Sequence, residues 1–382
     1  MEYRILGRTG LKVGAIALGC EGFTDKTAEE VRADFDFAIR NGINFLDLYA
    51  SNPTLRSNIG AALAGRREKF VIQGHLCSVW EEGQYLRTRD PEKSLAAFED
   101  MLARLGTDYV EIGMIHYVDA EADLREVLDG PIMRLAQRLR SEGRIRHIGL
   151  SSHNPVVAHM AARTGLIDVL MFSVNPCYDL LPPSDDVDTL WADESYAREL
   201  HNIDPERQRL YEFCEREGIA IDVMKAYGGG DLLSDANSPF GRPMTPVQCL
   251  EYALTRPGVA AVMAGCRSRA GIEAALAWCS ATAAERDYTG ALAGLDKFSW
   301  EGHCMYCGHC APCSVGIDIA GVNKYYNLTL AQHEIPETVR EHYRLLPHHA
   351  SECIACGRCE RNCPFGVDII GHMRLAAAKF GY

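Results

Sequence analysis

Between about residues 14 and 280 the chain alternates short apolar runs with helix-patterned stretches eight times, and this alternation limits its fold more than any other feature. The runs are Val13–Leu18, Asn44–Leu48, Phe70–Gln73, Tyr109–Ile115, Arg146–Leu150, Asp168–Val174, Ala220–Met224 and Ala260–Ala264. Each is continuous and rich in Val, Ile and Leu, as a strand covered on both faces must be. The stretches between them have readable helix ends. Thr27 and Glu30 have capping-box spacing, Val31, Phe35, Ala38 and Ile39 recur at helical intervals, and Gly42 stops the segment. Leu95, Phe98, Met101, Leu102 and Leu105 repeat the pattern up to Gly106. Eight parallel strands with eight crossover helices predict a (β/α)8 TIM barrel, which takes ~250 residues. An open doubly wound sheet would need a Gly-rich phosphate turn after its first strand, and the sequence has none there. Two strand-to-helix connections are long, Leu76 to Asp90 and Cys177 to about Pro205, and loops of that length at the catalytic end of a barrel are expected to act as lids.

The C-terminal stretch carries eight of the fifteen cysteines in two runs. Cys304, Cys307, Cys310 and Cys313 are spaced C-x2-C-x2-C-x2-C; Cys353, Cys356, Cys359 and Cys363 are spaced C-x2-C-x2-C-x3-C, with Pro364 following. The second spacing is that of bacterial ferredoxins, in which three close cysteines hold one cubane and the fourth reaches the other. Two [4Fe-4S] clusters are expected, in a small, mainly helical ferredoxin-like domain. Crossed ligation would join Cys363 to Cys304, Cys307 and Cys310, and Cys313 to Cys353, Cys356 and Cys359. The first run departs from the pattern at Pro312 and in its last gap, so uncrossed ligation stays open. Zinc also uses C-x2-C pairs, but four cysteines per run and the closing Cys-Pro favour clusters. Cys20, Cys77, Cys177, Cys214, Cys249, Cys266 and Cys279 read as small buried hydrophobes. The expected division is a barrel over 1–285 and a cluster domain over 286–382.

Composition excludes several classes. A net charge of −13 argues against nucleic acid, whose phosphates need a basic face. Residues from 295 onward hold eight Lys/Arg against nine Asp/Glu, so the acidity belongs to the barrel region and serves solubility. The opening residues MEYRILGRTGLKV lack a signal-peptide core, and no run of eighteen apolar residues could span a bilayer. A cytoplasmic protein without membrane partners is expected, its thiols reduced rather than paired.

Four segments carry a resemblance. GRTGLKVGAIALG (Gly7–Gly19), GINFLDLYASNP (Gly42–Pro53), IHYVD (Ile115–Asp119) and GRIRHIGLSSHN (Gly143–Asn154) resemble the aldo-keto reductases, with the cysteine domain appended as in an iron–sulfur branch of that family. The resemblance spans roughly residues 1–280. It implies a catalytic Asp, Tyr, Lys and His at the ends of barrel strands two, two, three and four, the Tyr delivering a proton to a carbonyl while NAD(P)H delivers hydride. Asp47, Tyr49 and His116 match; the lysine is absent, and its place falls on His75. A protonated His75, favoured by Asp47, would then be the cation that lowers the Tyr49 pKa from ~10. The resemblance further implies cofactor contacts from Gly228, Gly229 and Gly230 to pyrophosphate, from Ser151 to the nicotinamide amide, and from Arg267 and Arg269 to a 2′-phosphate. Later family positions for that phosphate and the adenine fall on Gly271, Ala274 and Ala275, which cannot make such contacts.

The leading expectation is an oxidoreductase that reduces a carbonyl-type small molecule at the barrel mouth, with electrons from the clusters, NAD(P)H or both. Nicotinamide moves two electrons as hydride and a cubane one, so joining them needs a flavin, for which no motif is present, or an external electron donor or acceptor. A second reading places a zinc or iron(II) ion on His75, His116 and His153, which end consecutive strands. A third is an electron-transfer protein with an inactive barrel.

Overall fold

In the computed structural model, which describes residues 1–196, 200, 203–288, 291, 304, 310–330, 335, 337–363 and 366–382, all eight apolar runs become strands of one closed parallel barrel. The barrel strands are β3 (Ile16–Gly19), β4 (Phe45–Leu48), β5 (Val71–Leu76), β8 (Val110–Ile115), β9 (Ile145–Ser152), β10 (Val169–Ser173), β11 (Ala220–Met224) and β12 (Val259–Ala264), neighbours in that order with β12 closing on β3. The first apolar run divides. Lys12–Gly14 (β2) leaves the barrel to pair antiparallel with Tyr3–Ile5 (β1), and only β3 joins the barrel. The loop and strand residues Leu6 and Val13 are wholly buried against Phe45, Val71, Val169 and Ala220, so this hairpin covers the N-terminal end of the barrel.

Local chemistry sets the helices as the sequence implies. Helix α1 (Ala28–Arg40) starts on the Thr27–Glu30 capping box and buries Val31, Phe35 and Ala38. Helix α3 (Pro91–Leu105) starts on Asp90, whose carboxylate accepts from the backbone N–H groups of Glu92 and Lys93, and stops at Gly106 in the left-handed region. Between them α2 (Pro53–Leu63) approaches α3 so closely at Gly60 that a Cβ there would lie 1.9 Å from the Arg104 carbonyl oxygen.

The two long connections are structured in different ways. After β5 the chain forms a hairpin, β6 (Ser78–Glu81) with β7 (Gln84–Arg87), turning at Glu82 and Gly83. Both turn residues have positive φ, 52° and 80°, as a two-residue hairpin turn that matches strand twist requires. After β10 the chain is fixed at Asp179, a fully buried carboxylate that accepts from Tyr211 Oη (2.5 Å), Tyr252 Oη (2.8 Å) and Arg207 Nη1 (3.4 Å).

The chain divides into two compact units. One comprises Met1–Val187, His201–Gly228 and Met244–Gly290; the other comprises Asp188–Leu200, Gly229–Pro243 and Ala291–Tyr382. The second unit is helical, with helices Ile319–Leu330, Glu337–Arg344, Arg358–Asn362 and Ile369–Phe380. Its core gathers Ile317, Val322, Val367, Ile369, Met373 and Ala376, and Tyr343 stacks on Phe380 at 3.8 Å between ring centres. A repeat underlies it: Gly316-Ile317-Asp318-Ile319 follows the first cysteine run, and Gly366-Val367-Asp368-Ile369 follows the second. Both glycines have positive φ, and both aspartates accept from the backbone N–H three residues on, at Gly321 and Gly371. Among the described residues no helix is long and apolar enough to cross a membrane.

Candidate functional site

Residues two apart on a strand point to one face, so Asp47 at the end of β4, Gln73 and His75 on β5, Met171 on β10 and Asp222 on β11 project into the barrel near its C-terminal mouth. Strand register places Asp47 level with Gln73 and Met171 level with Asp222. The layer is polar where a barrel interior is usually apolar. Gln73 Nε2 donates to Asp47 Oδ1 (2.9 Å) and to Asp222 Oδ2 (3.0 Å). Burial, and then the nearby charge of Asp47, hold the Asp222 carboxyl well above the usual carboxylate range, so Asp222 keeps its proton.

Above this layer the imidazoles meet. His75 Nε2 lies 2.8 Å from Asp47 Oδ1, and His75 Nδ1 lies 2.8 Å from His116 Nδ1. His116 follows directly on β8, and its Nε2 is 2.6 Å from the Tyr85 hydroxyl, which the β6–β7 hairpin brings over the mouth. Tyr49 lays its ring parallel to that of His116, 5.5 Å apart and 3° from coplanar, and meets Tyr85 and His75 edge-on at 6.1 Å. Asp47, Tyr49, His75 and His116 therefore do converge.

Their chemistry differs from expectation at His75. Both of its ring nitrogens are engaged, by Asp47 and His116, and neither turns to the Tyr49 hydroxyl. Burial, followed by the charge and hydrogen bond of Glu21, pushes the Tyr49 phenol well above its ordinary range, the reverse of what a neighbouring cation would do. His75 is thus a link in a hydrogen-bonded line rather than a substitute for lysine. His116 is pushed well below its usual value by burial and by the charges of His75, Arg89, His153 and Arg87, and stays neutral. The three-imidazole metal site is also corrected: His153 Nδ1 is bound to Asp119 Oδ2 at 2.9 Å, and among the described residues no three His, Cys, Asp or Glu side chains are grouped to hold a metal ion.

Of the residues expected at a dinucleotide, Ser151 and Arg269 are engaged by the protein itself. Ser151 Oγ accepts from the Tyr117 N–H at 2.7 Å. Arg269 is turned to α1, where it donates to the Ala33 carbonyl (2.7 Å), reaches Asp34 (3.4 Å) and covers the Phe37 ring, so its guanidinium is not presented to a 2′-phosphate. Arg267 is half-buried in the turn after β12. Gly228, Gly229 and Gly230 all have positive φ, an open turn without a side chain to grip a ligand.

Four residues of this mouth escape sequence reasoning: Gln73, Asp222, Glu21 and Tyr85. Tyr85 had a signal, because Glu82-Gly83 between Ser78–Glu81 and Gln84–Arg87 is a hairpin turn pair. A lysine does stand at the mouth, but it is Lys225 at the end of β11, in left-handed conformation and within the field of Glu21.

In the second unit, Cys313, Cys353, Cys356 and Cys359 line one hollow of about 380 Å³, measured out to open solvent, walled by Ile317, Ile319, Ile354, Ile370 and Met373. These are the four sulfurs that crossed ligation assigns to one cluster. The Cys356 thiol is held below its ordinary range by the Arg358 backbone N–H and then by Ser314, which favours the thiolate that iron needs. The four sulfurs line this apolar cradle without being drawn together to ligand distance; closing on iron they would hold a cubane, which would supply one-electron transfer there. Cys304, Cys310 and Cys363 pack against the same helical core, whereas Cys307 and Pro364 lie outside the described residues.

Comparison with known proteins agrees with this architecture. Residues 11–249 match the model of the aldo/keto reductase family, and residues 303–368 match a 4Fe-4S dicluster domain. An uncharacterized oxidoreductase, YqkF, of Bacillus subtilis is 28% identical over 177 residues, covering 45% of this chain and 56% of that protein. The L-glyceraldehyde 3-phosphate reductase of Escherichia coli is 30% identical over 165 residues, covering 41% and 46%. The chain thus spans about half the length of the curated relatives it matches. The holo structure of the aldo-keto reductase AKR11C1 from Bacillus halodurans superposes with a TM-score of 0.59 at 23% identity, covering 78% of this chain and 98% of that one, a likeness of fold.

Proposed function

Because the chain belongs to the aldo/keto reductase family and carries a 4Fe-4S dicluster domain, we propose that this oxidoreductase interconverts a carbonyl-type small molecule and its alcohol at the barrel mouth, using electrons that pass through two [4Fe-4S] clusters. The convergence of Asp47, Tyr49, His75 and His116 at the ends of three consecutive barrel strands carries this reading. Tyr49, kept protonated at working pH, donates a hydrogen bond to the substrate oxygen as charge develops on it. A fixed donor at a developing oxyanion contributes about 10²–10³ in rate. The engaged Ser151 and Arg269 favour an external one-electron donor over nicotinamide as the source of reducing equivalents.

The test is reduction of a panel of small aldehydes and ketones by the anaerobic full chain, with reduced methyl viologen as electron source. Wild type should turn over at least one member, and Tyr49→Phe should lose about 10²-fold or more with its iron content and visible spectrum unchanged. A loss below tenfold excludes Tyr49, and a wild type that reduces none of the panel overturns the reading.

A further inference from the structure

The hydrogen-bond contacts at the mouth form one unbroken line, from Asp47 through His75 and His116 to Tyr85. Asp47 Oδ1 already accepts from Gln73 Nε2, so His75 Nε2–H donates to the same oxygen (2.8 Å). With one proton on each ring, His75 accepts at Nδ1 from His116 Nδ1–H across their 2.8 Å contact. Neutral His116 accepts in turn at Nε2, and the Tyr85 hydroxyl donates to it at 2.6 Å. Each imidazole then accepts on one nitrogen and donates from the other, and Asp47 Oδ1 is the last acceptor. Asp47 is fixed at the inner end by Gln73, and Tyr85 is half-buried at the outer end, where the mouth meets solvent. Tyr49 stands beside the line but outside it, its hydroxyl facing Glu21.

We infer that Tyr85 is a further catalytic residue for the reaction proposed above, the one whose oxygen exchanges a proton with the substrate oxygen through this line. The inference rests on that reading of the barrel and adds the route of its proton. In the alcohol-to-alkoxide direction the substrate O–H bond breaks and Tyr85 takes the proton. Tyr85 gives its own proton to His116 Nε2, His116 Nδ1 passes its proton to His75 Nδ1, and His75 Nε2 passes its proton to Asp47. One proton enters the line, the charge of Asp47 is neutralised, an alkoxide remains at the mouth, and no electron moves in the step. In carbonyl reduction the line starts with a solvent proton on Asp47; after the external donor has supplied two electrons and solvent a proton to the carbonyl carbon, the four transfers run backwards, the product alkoxide receives its proton from Tyr85, and Asp47 is left ionised. Tyr49 holds the oxygen throughout.

The surroundings suit this role. Around His116 stand His75, Arg89, His153 and Arg87, together with the rings of Tyr49 and Tyr117, and burial, with the charges of the two arginines, keeps its ring neutral and able to accept. Around Tyr85 stand Arg87, Arg89, Tyr117 and Glu21, and burial dominates, keeping the phenol protonated until a substrate arrives.

Two measurements on the full chain test the inference. Nitrogen-15 NMR of histidine-labelled, substrate-free protein should show the proton of His116 on Nδ1 and that of His75 on Nε2. A His116 proton on Nε2 overturns the line whatever the activity. With a carbonyl that wild type reduces, Tyr85→Phe should lower kcat by about 10²–10⁴ with KM within about threefold, and should remove the solvent deuterium isotope effect on kcat. Tyr49→Phe should slow turnover yet retain that isotope effect. If Tyr85→Phe keeps kcat within about threefold and an unchanged isotope effect, Tyr85 is not catalytic, while the proposed activity stands on Tyr49→Phe. If wild type reduces no carbonyl, the proposed activity fails, and the catalytic role of Tyr85 fails with it.

Discussion

Replacing Asp179 with Asn should destabilise the barrel unit by about 3 kcal/mol, and the structure explains the size. Asp179 has no exposed surface, and its three side-chain partners are the hydroxyls of Tyr211 and Tyr252 and the guanidinium of Arg207, which is itself 1% exposed. An amide can keep both tyrosines, accepting from one and donating to the other. What it cannot keep is the negative charge facing a buried cation. Removing one partner of a buried ion pair costs about 3–5 kcal/mol. The lower end applies because Arg207 retains the Ser173 carbonyl at 3.0 Å and the Phe172 ring at 5.0 Å. At about 2–4 °C per kcal/mol the melting temperature should fall by roughly 6–12 °C. Burial already pushes the Asp179 carboxyl upward despite Arg207, so removing both charges should be far milder than removing one. Urea unfolding followed by circular dichroism, on Asp179→Asn and on the double variant Asp179→Asn/Arg207→Met, measures both effects. A single variant within about 0.5 kcal/mol of wild type, or a double variant no more stable than the single, would refute the reasoning.

Two further outcomes are expected. Cys313→Ala should remove a ligand from the cluster held by Cys353, Cys356 and Cys359, taking the anaerobically reconstituted iron content from about eight per chain to about four; Mössbauer spectra assigning the loss to the cluster of Cys304 and Cys310 would reverse the ligation. Asp222, whose carboxyl is raised in the folded state, contributes stability that is full below the unfolded value of ~3.9 and is lost as pH rises through the folded one. Asp222→Asn should therefore flatten the decline of unfolding free energy toward alkaline pH, and parallel urea-unfolding profiles for variant and wild type between pH 4 and 9 would exclude this.

The barrel was legible because its strands are local signals. Runs such as Val110–Ile115 and Ala220–Met224 are mostly apolar and buried on both faces, and Thr27, Asp90 and Gly106 mark helix ends through bonds made within a few residues. The first apolar run misled at its start, since Lys12–Gly14 belongs to the hairpin under the barrel and no pattern in Val13–Leu18 marks where one strand ends and the next begins. At the mouth, the sequence marked which side chains arrive but not which partners they take. His75 has Asp47 on a neighbouring strand and His116 on another, and the choice of those two over Tyr49 depends on register and ring rotation. Arg269 was expected to meet a phosphate and instead meets Asp34, 235 positions earlier, a pairing that no local pattern encodes. The cysteine runs were legible for the opposite reason: their chemistry is written in the spacing itself.

The second unit is assembled from three stretches of chain, and two of them, Asp188–Leu200 and Gly229–Pro243, leave the ribosome well before any cluster ligand. They must wait through the synthesis of the last barrel strand, β12, before the residues they fold with exist. A fragment cut at residue 286 would keep all eight cysteines and lose two of the three stretches that make up this unit. Its closure joins positions far apart in the chain, which makes it slow to form.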